Sequence, residues 1–141
     1  MTQTEQQKLA AKVEIREGGI YVRTSVRTPL YPGRWDFPIH QGHALNIPLI
    51  WENEEKAVVD LTGWTAVLTI KEHPDLEEAI AELSEVDGIT LSDEEPNITV
   101  TVEQATIDTY DFTQAVYSLV LTDGDGVSTV LLKGFVQLRR R

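Results

Sequence analysis

Three histidines, twenty-three carboxylates and no cysteine make up the reactive side chains of this chain. His40 and His43 stand three apart with Asp36 nearby, a set that could be drawn as a metal site. Pro38 and Gly42 interrupt the segment, so it lacks the helical geometry that would put both imidazoles on one face. Both are read as surface histidines. Asp123-Gly124-Asp125-Gly126 looks like the start of a calcium loop, but a bidentate glutamate at its twelfth position is missing and the chain runs into Val127 and a strand. A plain hairpin turn is the better reading. Glu54-Glu55, Glu77-Glu78 and Asp93-Glu94-Glu95 each lie in polar turn segments. Burial that would raise a carboxylate pKa for acid-base work is not expected there. The lack of cysteine removes disulfides, thiolate metal ligands and cysteine nucleophiles together. No nucleophile elbow, P-loop, dinucleotide fingerprint or zinc-protease helix motif is present. The sequence thus points away from an enzyme, and no metal or cofactor is expected.

Tryptophan offers a different chemistry, because aromatic faces can stack on sugar rings. Trp51 and Trp64 fall in register with core-facing residues and are read as core. Trp35 lies beside Arg34 in an irregular segment, where it suits either an interface anchor or packing within the chain. A carbohydrate-binding module for host-surface attachment therefore stands as an alternative that would use Trp35.

The elements that must position these residues are mostly strands. Residues 1–10 are polar and non-periodic and read as a flexible or partner-docked arm. Lys12–Glu17 and Ile20–Arg27 alternate on either side of Gly18-Gly19, the pattern of a hairpin with a tight primed turn. One face would carry Val13, Ile15, Ile20, Val22 and Val26, and the other Tyr21, Arg23 and Arg27. Residues 28–43 hold Pro29, Pro32, Pro38, Gly33 and Gly42 among Tyr31, Trp35, Phe37 and Ile39. Such a stretch is expected to form no regular ladder, yet it is too apolar for a free linker. It reads as an ordered connection laid on a surface.

From residue 43 onward, period-2 alternation dominates. Leu45, Ile47, Leu49 and Trp51 mark one strand, in which Pro48 calls for an edge position or an outward-facing one. Trp64, Ala66, Leu68 and Ile70 mark a second, and Ile98, Val100 and Val102 a third. Tyr117, Leu119 and Leu121 share a face, as do Val130, Leu132, Val136 and Leu138, with the Asp-Gly-Asp-Gly turn between them. At least six short strands with turns between them predict an antiparallel sandwich. Leu76, Ala79, Ile80 and Leu83 follow helical spacing, with Asp75 as a cap, so periodicity alone favours a short helix there. A single helical turn is expected within 101–110.

Charge divides along the chain. Residues 1–43 balance at +2, residues 44–138 at −16, and Arg139-Arg140-Arg141 add +3, for a net charge of −11. An acidic body repels phosphates, so direct nucleic-acid binding is not expected. It suits subunits that lay a basic arm on a neighbour's acidic face. Met1 to Gln7 contains no apolar stretch, so no signal peptide is expected. No window approaches the roughly 20 apolar residues that span a bilayer.

Several short signatures recur in one order: Asp60-Leu61-Thr62-Gly63-Trp64-Thr65-Ala66, Leu68-Thr69-Ile70-Lys71, Gly88-Ile89-Thr90-Leu91, Ile98-Thr99-Val100-Thr101-Val102, Tyr117-Ser118-Leu119-Val120-Leu121-Thr122-Asp123, and Leu131-Leu132-Lys133-Gly134-Phe135-Val136. In this order the stretch resembles a domain of tailed-bacteriophage virion proteins, found among upper baseplate, tail and fibre-attachment components. The resemblance covers about residues 43–138. It implies an all-β, immunoglobulin-like antiparallel β-sandwich, preceded here by an N-terminal arm and β-hairpin that match nothing in the family. It also implies a strand at 78–84 where periodicity suggests a helix. The implied division is an arm at 1–10, an adaptor of hairpin and connection at 11–42, the sandwich domain at 43–138 and a basic tail at 139–141.

The implied function is that of a non-enzymatic virion structural protein in a tail, neck, baseplate or fibre attachment, assembled in the host cytoplasm. A capsid decoration protein is the nearest alternative. Its expected partners are other virion proteins and copies of itself, as a homo-oligomer within a symmetric assembly, with no membrane partner. The residues expected at the interfaces are Lys8, Lys12, Arg23, Arg27, Tyr31, Arg34, Trp35, Phe37, Arg139, Arg140 and Arg141.

Overall fold

A computed structural model describes residues 11–17, 19–24 and 32–140. In chain order the elements are β1 (Lys12–Arg16), β2 (Gly19–Thr24), β3 (Gly33–Arg34), β4 (Phe37–His40), β5 (Leu45–Asn53), β6 (Thr65–Lys71), β7 (Ala81–Ser84), β8 (Ile89–Leu91), β9 (Ile98–Val102), the helical turn α1 (Gln104–Ile107), β10 (Gln114–Thr122) and β11 (Ser128–Arg139). They form an all-β sandwich of two sheets. One runs β1-β2-β5-β9-β8; the other runs β3-β11-β10-β6-β7, with β4 also paired to β11.

Alternation builds the core. Along β10, Ala115, Tyr117, Leu119 and Leu121 are buried, while the residues between them face outward. From the opposite sheet, Leu49, Trp51, Ile98 and Val100 pack into the same apolar cluster. Each such side chain contributes about 1.5–3 kcal/mol when fully buried. The Trp51 indole donates to Thr24 Oγ1 at 3.0 Å and meets Trp64 edge-on at 5.4 Å between ring centres. The Asp-Gly-Asp-Gly hairpin turn forms as expected. Asp123 Oδ1 accepts the amides of Asp125 and Val127, both at 2.9 Å, so this carboxylate oxygen closes the turn.

The structure decides four expectations. The first concerns the front segment, which forms ladders after all. Phe37 pairs with Val136 and Ile39 with Leu138, in parallel, with Phe37 and Ile39 buried and Pro38 and His40 exposed. Proline is tolerated because β4 is an outer strand and has no partner beyond β11 to receive an amide. The hairpin of β1 and β2 extends the other sheet, through parallel pairing of Val22 with Trp51. The expected boundary near residue 43 therefore falls between strands that each belong to a sheet.

Second, every strand pair among β5 to β11 is antiparallel, as expected, and parallel pairing enters only through β2, β3 and β4 of the front segment. Third, β5 is an inner strand, and Pro48 takes the outward-facing alternative, alternating with the core residues Ile47 and Leu49. The Pro48 carbonyl lies 2.8 Å from where a Gly19 Cβ would stand, so this residue turns its missing donor toward β2. That ladder begins only at Ile20 and Leu49, so no bond is lost. Fourth, the strand implied for 78–84 forms at Ala81–Ser84, and the helix suggested by spacing at 76–83 does not. Ala81–Ser84 pairs with β6 instead, from Ile70 opposite Ala81 to Val67 opposite Ser84. Leu76 is left exposed, so the helical spacing had no apolar surface to meet. The helical turn expected within 101–110 is α1.

Candidate interaction surfaces

Of the expected interface residues, Lys8, Arg27, Tyr31 and Arg141 lie outside the described residues. Lys12 is exposed at the start of β1, in register with Arg23. Arg23 is engaged within the chain. Its Nε and an Nη donate to Glu52 Oε1 at 3.0 and 2.8 Å, and Arg16 donates to the same oxygen at 3.1 Å. Glu52 is only 3% exposed, and a carboxylate so placed needs these two guanidinium groups to offset its desolvation. Arg16 also bonds Glu14 at 2.8 Å and lies 4.2 Å over the Tyr21 ring. The hydrogen bond from Arg16 holds the Glu14 carboxyl below its ordinary range. A hydrogen bond to Glu95, and then burial, push the Tyr21 hydroxyl up. The cluster thus fastens the hairpin to β5 and continues toward the loop before β9. Glu52 was hidden in the sequence as the first member of an acidic run; its register opposite Arg23 is the signal that marks it.

Trp35 and Phe37 both pack on the chain's own sandwich. Their rings stack at 4.9 Å and 21°, and Phe37 meets Tyr117 edge-on at 4.9 Å. The Tyr117 hydroxyl donates to the Trp35 carbonyl, and burial pushes its pKa upward. Asp36 Oδ1 accepts the Phe135 amide at 2.8 Å. Gly134 makes this approach possible, because a Cβ there would collide with the Trp35 carbonyl. Arg34 places its guanidinium 5.0 Å from the centre of the Phe135 ring. Arg139 donates to Gln137 at 3.0 Å, and Arg140 to Asp111 at 2.8 Å.

His40 and His43 lie edge to face, 6.4 Å apart. Among the described residues, no three histidine, aspartate or glutamate side chains gather where they could hold a metal ion. A groove of about 650 Å³ opens beside β7, β9 and α1. Glu82, Asp87, Glu103 and Asp111 line it, with threonine hydroxyls and Tyr110 but no basic side chain. The Tyr110 hydroxyl is buried with no hydrogen-bond partner among the described residues, and burial raises its pKa. No sequence signal marks this groove, since its walls come from four separate segments.

No protein-family model matches the chain, and no curated protein sequence matches it. Among solved structures it is similar to the N-terminal domain of phage TP901-1 ORF48, with a TM-score of 0.49 and 6% identity over 92% of this chain and 96% of that one. It is also similar to the bradyzoite-specific antigen BSR4 from Toxoplasma gondii, with a TM-score of 0.42 and 8% identity over 93% of this chain and 52% of that one.

Proposed function

We propose that the chain is a non-enzymatic structural subunit of a tailed-bacteriophage virion, acting in the tail, neck, baseplate or fibre attachment. In this reading an immunoglobulin-like sandwich serves as a rigid tile, and contacts with other virion proteins and with copies of itself set its place. The observation that carries it is the strand β7. Hydrophobic spacing favours a helix at this point, whereas the ordered signatures shared with phage tail domains imply a strand, and Ala81–Ser84 pairs with β6. Of the other signatures, 68–71 lies in β6, 98–102 in β9 and 131–136 in β11, 88–91 and 117–123 lie in β8 and β10 but for one residue each, and 60–66 leads into β6 at Thr65. An acidic body with −16 over residues 44–138 suits protein neighbours better than nucleic acid.

The test is mass spectrometry of purified particles of the phage that encodes the chain, together with immunogold labelling. A fixed copy number and label confined to one part of the tail are expected. A chain abundant in the lysate but absent from purified particles would refute the proposal.

A further inference from the structure

The outward side of the six-stranded sheet differs from the rest of the surface in both charge and apolarity. Register sets three rows across it. Phe135 faces Val116, which faces Lys71; Lys133 faces Ser118, which faces Thr69; beyond a bulge, Val130 faces Val120, which faces Val67. The intervening residues Tyr117, Leu119 and Leu121 point into the core, so all three rows face outward. Phe135 and Val130 are 38% and 42% exposed, among the most exposed large apolar residues described. Neither β6, β10 nor β11 contains a single carboxylate, although the chain has 23. Lys71, Lys133 and Arg139 lie on these strands, and Arg34 stands over Phe135. The nearby acids are Asp36, already bonded to the Phe135 amide, Glu82, at the far edge, and Glu72 and Asp75 in the loop after Lys71, whose Pro74 borders the face beside Thr69 and Val116.

Acidic groups gather in the loops at one end of the other sheet, as they do in the groove beside β7, β9 and α1. Glu54 and Glu55 follow β5, Asp60 precedes β6, and Asp93, Glu94 and Glu95 lead into β9; all are exposed, with Lys56 as the cation among them. Backbone bonds from Val59 to Trp51 and from Leu61 to Ser92 hold these loops side by side.

We infer that the outward face of the six-stranded sheet docks the acidic loop end of a second copy of this chain. The apolar rows would give the contact its desolvated centre, and Lys71, Lys133 and Arg34 would meet the carboxylates at its rim. Two such faces cannot pair with each other without opposing like charges. The contact is therefore heterologous, a face on one copy against an end on the next, and repeated contacts of that kind close a ring or extend a filament. This inference rests on the reading of the chain as an assembly subunit and names the surface by which it self-associates.

Sedimentation velocity on the full chain tests it. Self-association is expected at about 0.1 M salt and should weaken at about 0.5 M, where the screening length is roughly halved. Lys71→Glu/Lys133→Glu should weaken association about tenfold or more, as should Glu54→Lys/Glu55→Lys. Mixing the two variants should restore it, because the acidified face then meets basic loops. All four residues are exposed or half-buried, so unchanged melting would confirm folding, and the salt series on the unmodified chain needs no variant. A chain that stays monomeric at millimolar concentration, association that strengthens with salt, or a mixture that fails to recover would each overturn the inference. If the face variant still enters particles as the unmodified chain does, the surface is wrong and the virion reading stands. If the chain is absent from particles, the virion reading falls whatever the sedimentation shows.

Discussion

Replacing Asn97 provides the sharpest check on how β5, β9 and the segment after β5 are held together. Asn97 is fully buried just before β9, where the last ladder pair of that strand with β5 is Ile98 with Leu49. Its side chain continues the ladder. Oδ1 accepts the Trp51 amide at 2.8 Å, while Nδ2 donates to the Trp51 carbonyl at 3.0 Å and the Val59 carbonyl at 2.8 Å. Asn97→Ala leaves the Trp51 amide and the Val59 carbonyl without that partner, while the Trp51 carbonyl keeps the Val59 amide at 2.9 Å. At about 1–3 kcal/mol for the buried Trp51 amide, and less for the part-buried Val59 carbonyl, the loss should be about 2–4 kcal/mol. That is a large share of the roughly 5–15 kcal/mol typical of a whole domain. In urea, with a slope of about 1–3 kcal/mol/M, the midpoint should fall by about 2 M.

Asn97→Asp keeps the shape but turns an oxygen toward both carbonyls, so the folded state would favour the protonated acid and raise its pKa. Below the unfolded value of about 3.9 both states are protonated, and the variant should be near its most stable. As pH rises from there through the raised folded value, stability should fall, and it should then stay low. A loss under about 1 kcal/mol for Asn97→Ala, or an Asn97→Asp variant whose stability does not change between about pH 4 and 7, refutes the assigned role.

Three further outcomes are expected. Gly134→Ala forces a Cβ against the Trp35 carbonyl and to 2.6 Å from Asp36 Oδ1, so it should cost about 2–3 kcal/mol in thermal unfolding; Gly124→Ala, with nothing within 4 Å, is its control. Glu52→Ala leaves Arg16 and Arg23 without their shared carboxylate. Because both arginines keep about a quarter of their side chains exposed, the loss should be about 2 kcal/mol, below that of a fully buried pair, and Arg23→Met in the same chain should recover part of it. Tyr110→Phe removes a buried hydroxyl that has no described partner and should be neutral or slightly stabilising. Burial raises the folded-state pKa of Tyr110, so its contribution is intact below the unfolded value of about 10 and is lost as pH rises beyond it. Tyr110→Phe should therefore shift alkaline unfolding, followed by circular dichroism, to higher pH.

Period-2 patterning made β6, β10 and β11 legible in the sequence because each buries one face and exposes the other. The Asp-Gly-Asp-Gly turn was readable for a related reason, since short side-chain acceptors and glycines can satisfy the backbone of a tight turn. β4 was missed because Pro38 was taken as a ladder breaker. The pattern Phe37, Ile39 was there, but only the position of the strand at the outside of β11 makes that proline harmless. At 76–83, the two periods conflict over too few residues, and the need of β6 for a partner decides. The outer side of β5 was illegible for another reason. From Leu49 to Glu52 every residue is buried, because the hairpin and its arginines cover the side that alternation would leave to solvent. Asn97, following Pro96, reads as a turn residue until its three partners are located.

The pairing of β11 has a consequence for the order of events during synthesis. The strand holds β3, β4 and β10 together, and the Phe135 amide reaches a carboxylate 99 residues earlier in the chain. While β11 is still within the ribosome, β10 lacks one neighbour and the Phe37 and Ile39 side chains lack the strand they lie against. The nascent chain must carry that open edge until β11 emerges. Closure over so long a loop favours slow, late folding, and an early encounter with another copy's β11 would give a swapped dimer in place of a finished monomer.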